Sequence, residues 1–192
     1  MHRDQLEGPA FKGNVVSSPS TAISIRPATA ADLPRIGILG ALLVETHYQF
    51  DAERFIATRP RTPADYAGFM GQQLGNPDVA VLVAHVNLDV IGYAYAAVEG
   101  YDYMQLRGPA GVLHDIIVDP EYRNQGVGRL LLDASLVFLK SRGLPRVVLT
   151  TADRNSSALH LFEGAGFRRT MVEMTRELND LPESKSPRTP PR

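Results

Sequence analysis

One junction constrains this chain more than any other feature: residues 112–132, VLHDIIVDPEYRNQGVGRLLL. A β-branched apolar run, VLHDIIVD, reads as a buried strand, gives way to the polar stretch RNQGVG, and passes at once into a leucine run. A second buried-type strand, RVVLTTA (146–152), follows the leucine-rich segment. Strand, helix, strand in that order requires a crossover with parallel pairing, which a simple hairpin meander cannot supply.

The rest of the chain fits around this unit. ISIRPA (23–28) alternates as a strand, and Thr29 with Asp32 forms a capping-box pattern that opens a helix running to about Tyr48. DAERFIATR (51–59) reads as a short helical piece. Thr62, Pro63 and Asp65 then give the cap, first-position proline and first-turn acid of a second helix. VAVLVAHV (79–86) and VIGYAYAAV (90–98) are strands joined by the turn Asn87-Leu88-Asp89. After the 112–119 strand come a helix over 128–142, the 146–152 strand, a helix over 155–165 and an alternating strand over 167–178. On the 128–142 helix the polar stripe of Arg129, Asp133 and Lys140 is narrow, so packing on most sides is expected, with Leu132, Leu136 and Leu139 in the core. This order predicts an α/β (α+β) fold: a mixed, mostly antiparallel sheet with one parallel strand pair and flanking helices.

Composition bounds the function. The net charge of -1 and the lack of any Lys/Arg cluster leave no electrostatic footprint for nucleic acid. With no cysteine, disulfides, thiolate zinc sites and cysteine nucleophiles are excluded. The histidines His2, His47, His85, His114 and His160 have no metal-ligand spacing, so no metal is expected. No apolar run is long enough to cross a membrane, and the first residues lack the apolar stretch of a secretion signal, so a cytoplasmic location is expected. Residues 1–22 and 179–192, rich in Gly, Pro, Ser and charge, are expected to be tails around one domain over 23–178.

The glycine loop offers backbone N–H groups at a helix N-terminus, a natural anion site, with Gly126 and Gly128 removing two side chains and Arg123 and Arg129 at either end. A Walker A loop is excluded because Gly128 is followed by Arg129-Leu130. A dinucleotide fingerprint is excluded because Leu131 stands where its third glycine belongs. Taken alone, the loop remains either a tight turn or a phosphate cradle.

Together, VDP, YRNQGVG, the leucine-rich helix and NSSALHLFEGAGF (155–167) resemble the GNAT superfamily of acetyl-CoA-dependent N-acetyltransferases. The resemblance spans about 23–178 and is most specific over 112–167. It implies that Arg123, Asn124, Gln125, Gly126, Val127, Gly128 and Arg129 hold the pyrophosphate of coenzyme A. It implies that Ile116, Ile117 and Val118 line the pantetheine arm where the 112–119 and 146–152 strands splay apart, with one N–H polarising the thioester carbonyl. Asn155 would cap its helix and contact the pantetheine amides, and Phe162 would pack against the acetyl group. A homodimer is also in keeping with the family.

Acetyl transfer to an amine titrating near ~10.4 needs a base at neutral pH. Two polar residues, His114 and Asp115, interrupt the apolar strand. His114 is the first candidate base, since imidazole titrates nearest neutrality, and Asp115 the second. Neighbours on a regular strand point to opposite faces, so both reach one cleft only if the strand is bulged. Many members of the family carry Tyr where this chain has Phe162, and a phenyl ring donates no proton to the departing thiolate. Water serves instead, or Tyr101 or Tyr103; a thiol near ~8.5 leaves tolerably without an acid. The acceptor is expected to be a small-molecule or peptide amine, near Glu45, Asp51 and Glu53 with Tyr48, Tyr101 and Tyr103 as walls. Phe162 also motivates an alternative, a catalytically weak acyl-CoA-binding regulatory module.

Overall fold

The computed structural model describes residues 22–178, so the two tails expected at 1–22 and 179–192 lie outside the described residues but for Ala22. Five strands form one sheet in the order β1 (Ser24–Pro27), β2 (Val79–Val86), β3 (Asp89–Glu99), β4 (Ala110–Val118) and β5 (Val147–Leu149). Every pairing is antiparallel except β4 with β5, which is parallel, as the crossover through α3 (Val127–Ser141) requires. The mixed α/β architecture is thus the one expected.

Chain geometry follows local chemistry. Asp32 accepts from the N–H and the hydroxyl of Thr29 and grips the Arg26 guanidinium with both oxygens, fixing the entry to α1 (Leu33–Phe50). Val86 pairs with Asp89, so the hairpin turn is Asn87-Leu88, with Asn87 taking the left-handed conformation. At α2 (Thr62–Gln73) the Thr62 hydroxyl accepts the Arg59 amide instead of capping forward. α4 (Ser156–Gly164) is capped by Asn155, whose Oδ1 accepts from the Ala158 amide.

Apolar side chains cover both faces of the sheet. On one, Ile36, Leu39 and Met70 from α1 and α2 pack against Val83, Tyr93, Tyr95 and Ile117. On the other, Leu131, Leu132 and Leu139 of α3 and Phe162 of α4 pack against Ala94, Ala96 and Leu113. α1 and α2 approach so closely that a Cβ on Gly40 would lie 2.2 Å from the Tyr66 ring.

Three expectations fail. Residues 51–59 form no helix, because the Asp51 carboxylate takes the amides of Glu53 and Arg54 in a local turn. Residues 167–177 form no strand: β5 offers an edge of three residues, and the alternating Val172 and Met174 lie exposed. α3 is packed on one face only, since Leu130 and Val137 are open to solvent. Among the described residues, no helix is long and apolar enough to cross a membrane.

Candidate active site

The site begins with a fork. β4 pairs with β5 only from Gly111 to Leu113, opposite Val147 to Leu149, and then runs on to Val118 with no strand paired to that edge among the described residues. A cavity of about 260 Å³ opens there. Its walls are Leu43, Val44 and His47 of α1, residues 113–116 of β4, Thr150 and Thr151 beyond β5, and Asn155, Ala158 and Phe162 of α4, with Phe55 and Ile56 at the side.

The β3–β4 ladder slips at this point. Tyr95 faces Asp115, but Ala96 faces Leu113, so His114 is an extra residue with no partner in the ladder. This bulge resolves the geometric conflict in the sequence: His114 and Asp115 both reach the cavity, on the face that carries Tyr93 and Tyr95. The His114 ring stacks on Tyr95 with centroids 4.8 Å apart and 20° between planes. Its Nε2 stands 3.0 Å from Oε1 of Glu99.

Asp115 is held differently. The hydroxyls of Tyr66 and Tyr93 both donate to its Oδ2, the latter at 3.1 Å. No oxygen of the described side chains is a buried orphan, and Oδ1 has no donor among the described residues, so Oδ1 keeps some contact with open space. Burial pushes the Asp115 carboxyl above its ordinary value, against the pull of the two tyrosines and of nearby His114 and His47. Burial also raises Tyr66 and Tyr93, helped by the Asp115 charge, so both hydroxyls stay protonated donors.

At the far end of the open β4 edge lies the glycine loop. Asn124 and Gly126 both take positive φ, 61° and 82°, on either side of Gln125. Gly126 caps α3, and the first intrahelical bond there is Leu130 N–H to the Gly126 carbonyl, leaving the amides of Val127, Gly128 and Arg129 in the first turn. A Cβ on Gly128 would meet only Leu161, at 3.4 Å, and Val118, at 3.8 Å, both ordinary contacts. The protein's own packing therefore does not demand glycine there. Of the two arginines, Arg123 folds back onto the Val118 carbonyl at 3.2 Å, while Arg129 is committed to Asp133 and the Gly164 carbonyl.

The other sequence candidates divide. Ile116 lines the cavity, while Ile117 packs beneath α1 and α2 and Val118 toward α3 and α4. Asn155 and Phe162 line the cavity. Tyr101 and Tyr103 do not: they stack on each other in an exposed loop closed by the Asp102–Arg107 pair. Glu45 binds Gln49 and Thr58, and Asp51 caps its turn, so neither faces the cavity. Sequence reasoning missed His47, Tyr66, Tyr93 and Glu99, whose links to the site cross long stretches of chain. Among the described residues no cluster of His, Cys, Asp or Glu could hold a metal ion.

Residues 44–167 match the acetyltransferase (GNAT) family, a span that takes in Val44 and His47 of α1, the bulged strand, the glycine loop and α4. The chain belongs to this family. Among curated relatives, the mycothiol acetyltransferase of Thermobispora bispora is 41% identical over 80 residues, covering 42% of this chain and 25% of that protein. That of Cellulomonas flavigena is 39% identical over 64 residues, covering 33% and 18%. The GNAT chain thus matches about a quarter or less of these relatives' length. Of solved structures, an aminoglycoside N-acetyltransferase AAC(6')-Iy in complex with CoA superposes with a TM-score of 0.62 at 19% identity, over 82% of this chain and 95% of that one. A transcriptional regulator from Bacillus halodurans C-125 gives 0.64 at 22%, over 82% and 100%. Both likenesses are of fold.

Proposed function

We propose that this GNAT chain moves an acetyl group from acetyl-CoA to a primary amine by direct transfer within a ternary complex. One observation carries the reading: the bulge that sets His114 and Asp115 side by side in the cavity along the unpaired edge of β4. The glycine loop fits a pyrophosphate. Its first-turn amides and the helix dipole favour an anion, and the space left at Gly128 is used by no side chain of the fold. Acetyl-CoA supplies the activated acyl group; Arg123 and the amides from Gln125 to Arg129 hold it, and the open edge of β4 at Ile116, Ile117 and Val118 aligns its arm like an added strand.

In this reading His114 takes the proton from the acceptor ammonium, since imidazole is the side chain suited to accept at neutral pH. Asp115, with Oδ1 in contact with open space and Oδ2 held by two tyrosines, attracts the cationic acceptor and orients it. Phe162 packs against the acetyl end from α4 and donates nothing, so water protonates the thiolate. A small-molecule amine is the acceptor class, in keeping with relatives named for mycothiol and aminoglycoside acetylation.

The buried phenyl of Phe162 also favours a second reading, a module that binds acyl-CoA with little turnover. One experiment separates the two: release of free thiol from acetyl-CoA, followed over a panel of amines, with melting of the protein measured beside it. Thiol release dependent on one amine class establishes the transferase. Stabilisation by acetyl-CoA with no release from any amine establishes the binding module and overturns the first reading.

A further inference from the structure

Glu99 ends β3, outside the cavity that His114 lines, and each of its oxygens is engaged by a different partner. Oε1 stands 3.0 Å from His114 Nε2, and Oε2 accepts from an Arg107 Nη. Arg107 is itself anchored: its other terminal nitrogen donates to the Gly100 carbonyl at 3.3 Å, its backbone pairs both ways with Asp102, and its side chain is 14% exposed. Stacking on Tyr95 holds the plane of the His114 ring. Nδ1 has no protein partner among the described residues.

We propose that Glu99 is a positioning residue for His114: its carboxylate, locked by Arg107, keeps the hydrogen on Nε2 and so makes Nδ1 the proton acceptor. The physical reason is electrostatic. A carboxylate oxygen at that distance has only lone pairs to offer, so the tautomer presenting N–H to it is favoured. When Nδ1 takes a proton from the acceptor ammonium, an N–H bond of the amine breaks and the Nδ1–H bond forms. The imidazolium so made lies against the Glu99 carboxylate until it releases that proton to solvent. The catalytic half of this inference rests on the acetyl-transfer reading; the tautomer half does not.

Glu99→Gln tests both halves. Arg107 carries donors only and retains the amide oxygen, which turns the NH₂ of Gln toward Nε2 and drives the hydrogen to Nδ1. Ring-nitrogen NMR at about pH 8.5, where an ordinary imidazole is neutral, reads the tautomer without turnover. The expected result is Nε2–H at His114 in the unaltered protein and Nδ1–H in E99Q. In the thiol-release assay E99Q lowers kcat by about 10²-fold, of the order a misplaced general base costs, with the KM for acetyl-CoA unchanged. Added to His114→Ala it lowers kcat no further, because the two act as a unit.

A hydrogen on Nδ1 in the unaltered protein overturns the proposal, and that measurement stands even if E99Q does not fold. So does an E99Q spectrum identical to that of the unaltered protein, or a full additional loss in the H114A background. If no amine supports thiol release, the acetyl-transfer reading fails while the spectra still decide the tautomer.

Discussion

Asp115 is a carboxyl placed where a charge is costly, and its titration should be visible in the stability of the protein. Burial raises its folded value above the unfolded one, so the group contributes stability that is fully present below the unfolded value, near ~3.9, and lost as pH rises through the raised folded value. Asp115→Asn keeps an acceptor for Tyr66 and Tyr93 but never ionises. The melting temperature of D115N relative to the unaltered protein should therefore climb as pH rises above about 4, the ordinary carboxyl value. A difference that stays flat, or falls, as pH rises from there would show that the carboxyl is not held up by burial. His114 sits at the other extreme: half-exposed, stacked on Tyr95, and free of any load in the core.

Among the elements, the glycine loop and the α1–α2 pair make opposite demands on glycine. Gly126 sits at φ 82°, where an alanine costs about 1–2 kcal/mol, so Gly126→Ala should lower stability by that amount in chemical denaturation. Gly128→Ala should leave stability nearly unchanged, since its Cβ meets only ordinary contacts, while weakening CoA binding in calorimetry; equal loss of both would make the loop a turn and nothing more. Gly40→Ala drives a Cβ into the Tyr66 ring and should cost about 1–3 kcal/mol. It should also pull Tyr66 off Asp115, reducing turnover as well as stability. Much of this level was legible in the chain. The strand–loop–helix junction, the hairpin and the Asn155 cap follow from local pattern, while the acyltransferase family is legible only through the resemblance that the glycine loop and residues 155–167 carry together. The 167–178 alternation misleads because a strand needs a neighbour, and β5 stops at Leu149. Tyr66, Tyr93 and Glu99 escape sequence reading because their partners lie 49, 22 and 15 positions away and no spacing rule links them. The bulge escapes too: LHDII carries no glycine to announce an irregular strand.

At the scale of the molecule, one sheet carries both apolar clusters on its two faces, and β3 contributes alternately to each. Neither half can lose its packing without exposing the strand the other relies on, so unfolding should follow a single cooperative transition. CoA at about a hundred times its dissociation constant should add about 2.7 kcal/mol, a rise of roughly 5–10 °C for a domain of this size. The same addition should move Gly128→Ala much less, and two separate transitions in urea would refute the shared-sheet account. One consequence of the β4 bulge reaches beyond any substitution. Remove His114 altogether and Leu113 and Asp115 fall opposite Ala96 and Tyr95 in an unbroken ladder, with the carboxyl still on its own face. The sheet is complete without this residue. Its place in the chain is that of an insertion, held by the Tyr95 ring and the Glu99 carboxylate and not by the ladder of the strand that carries it.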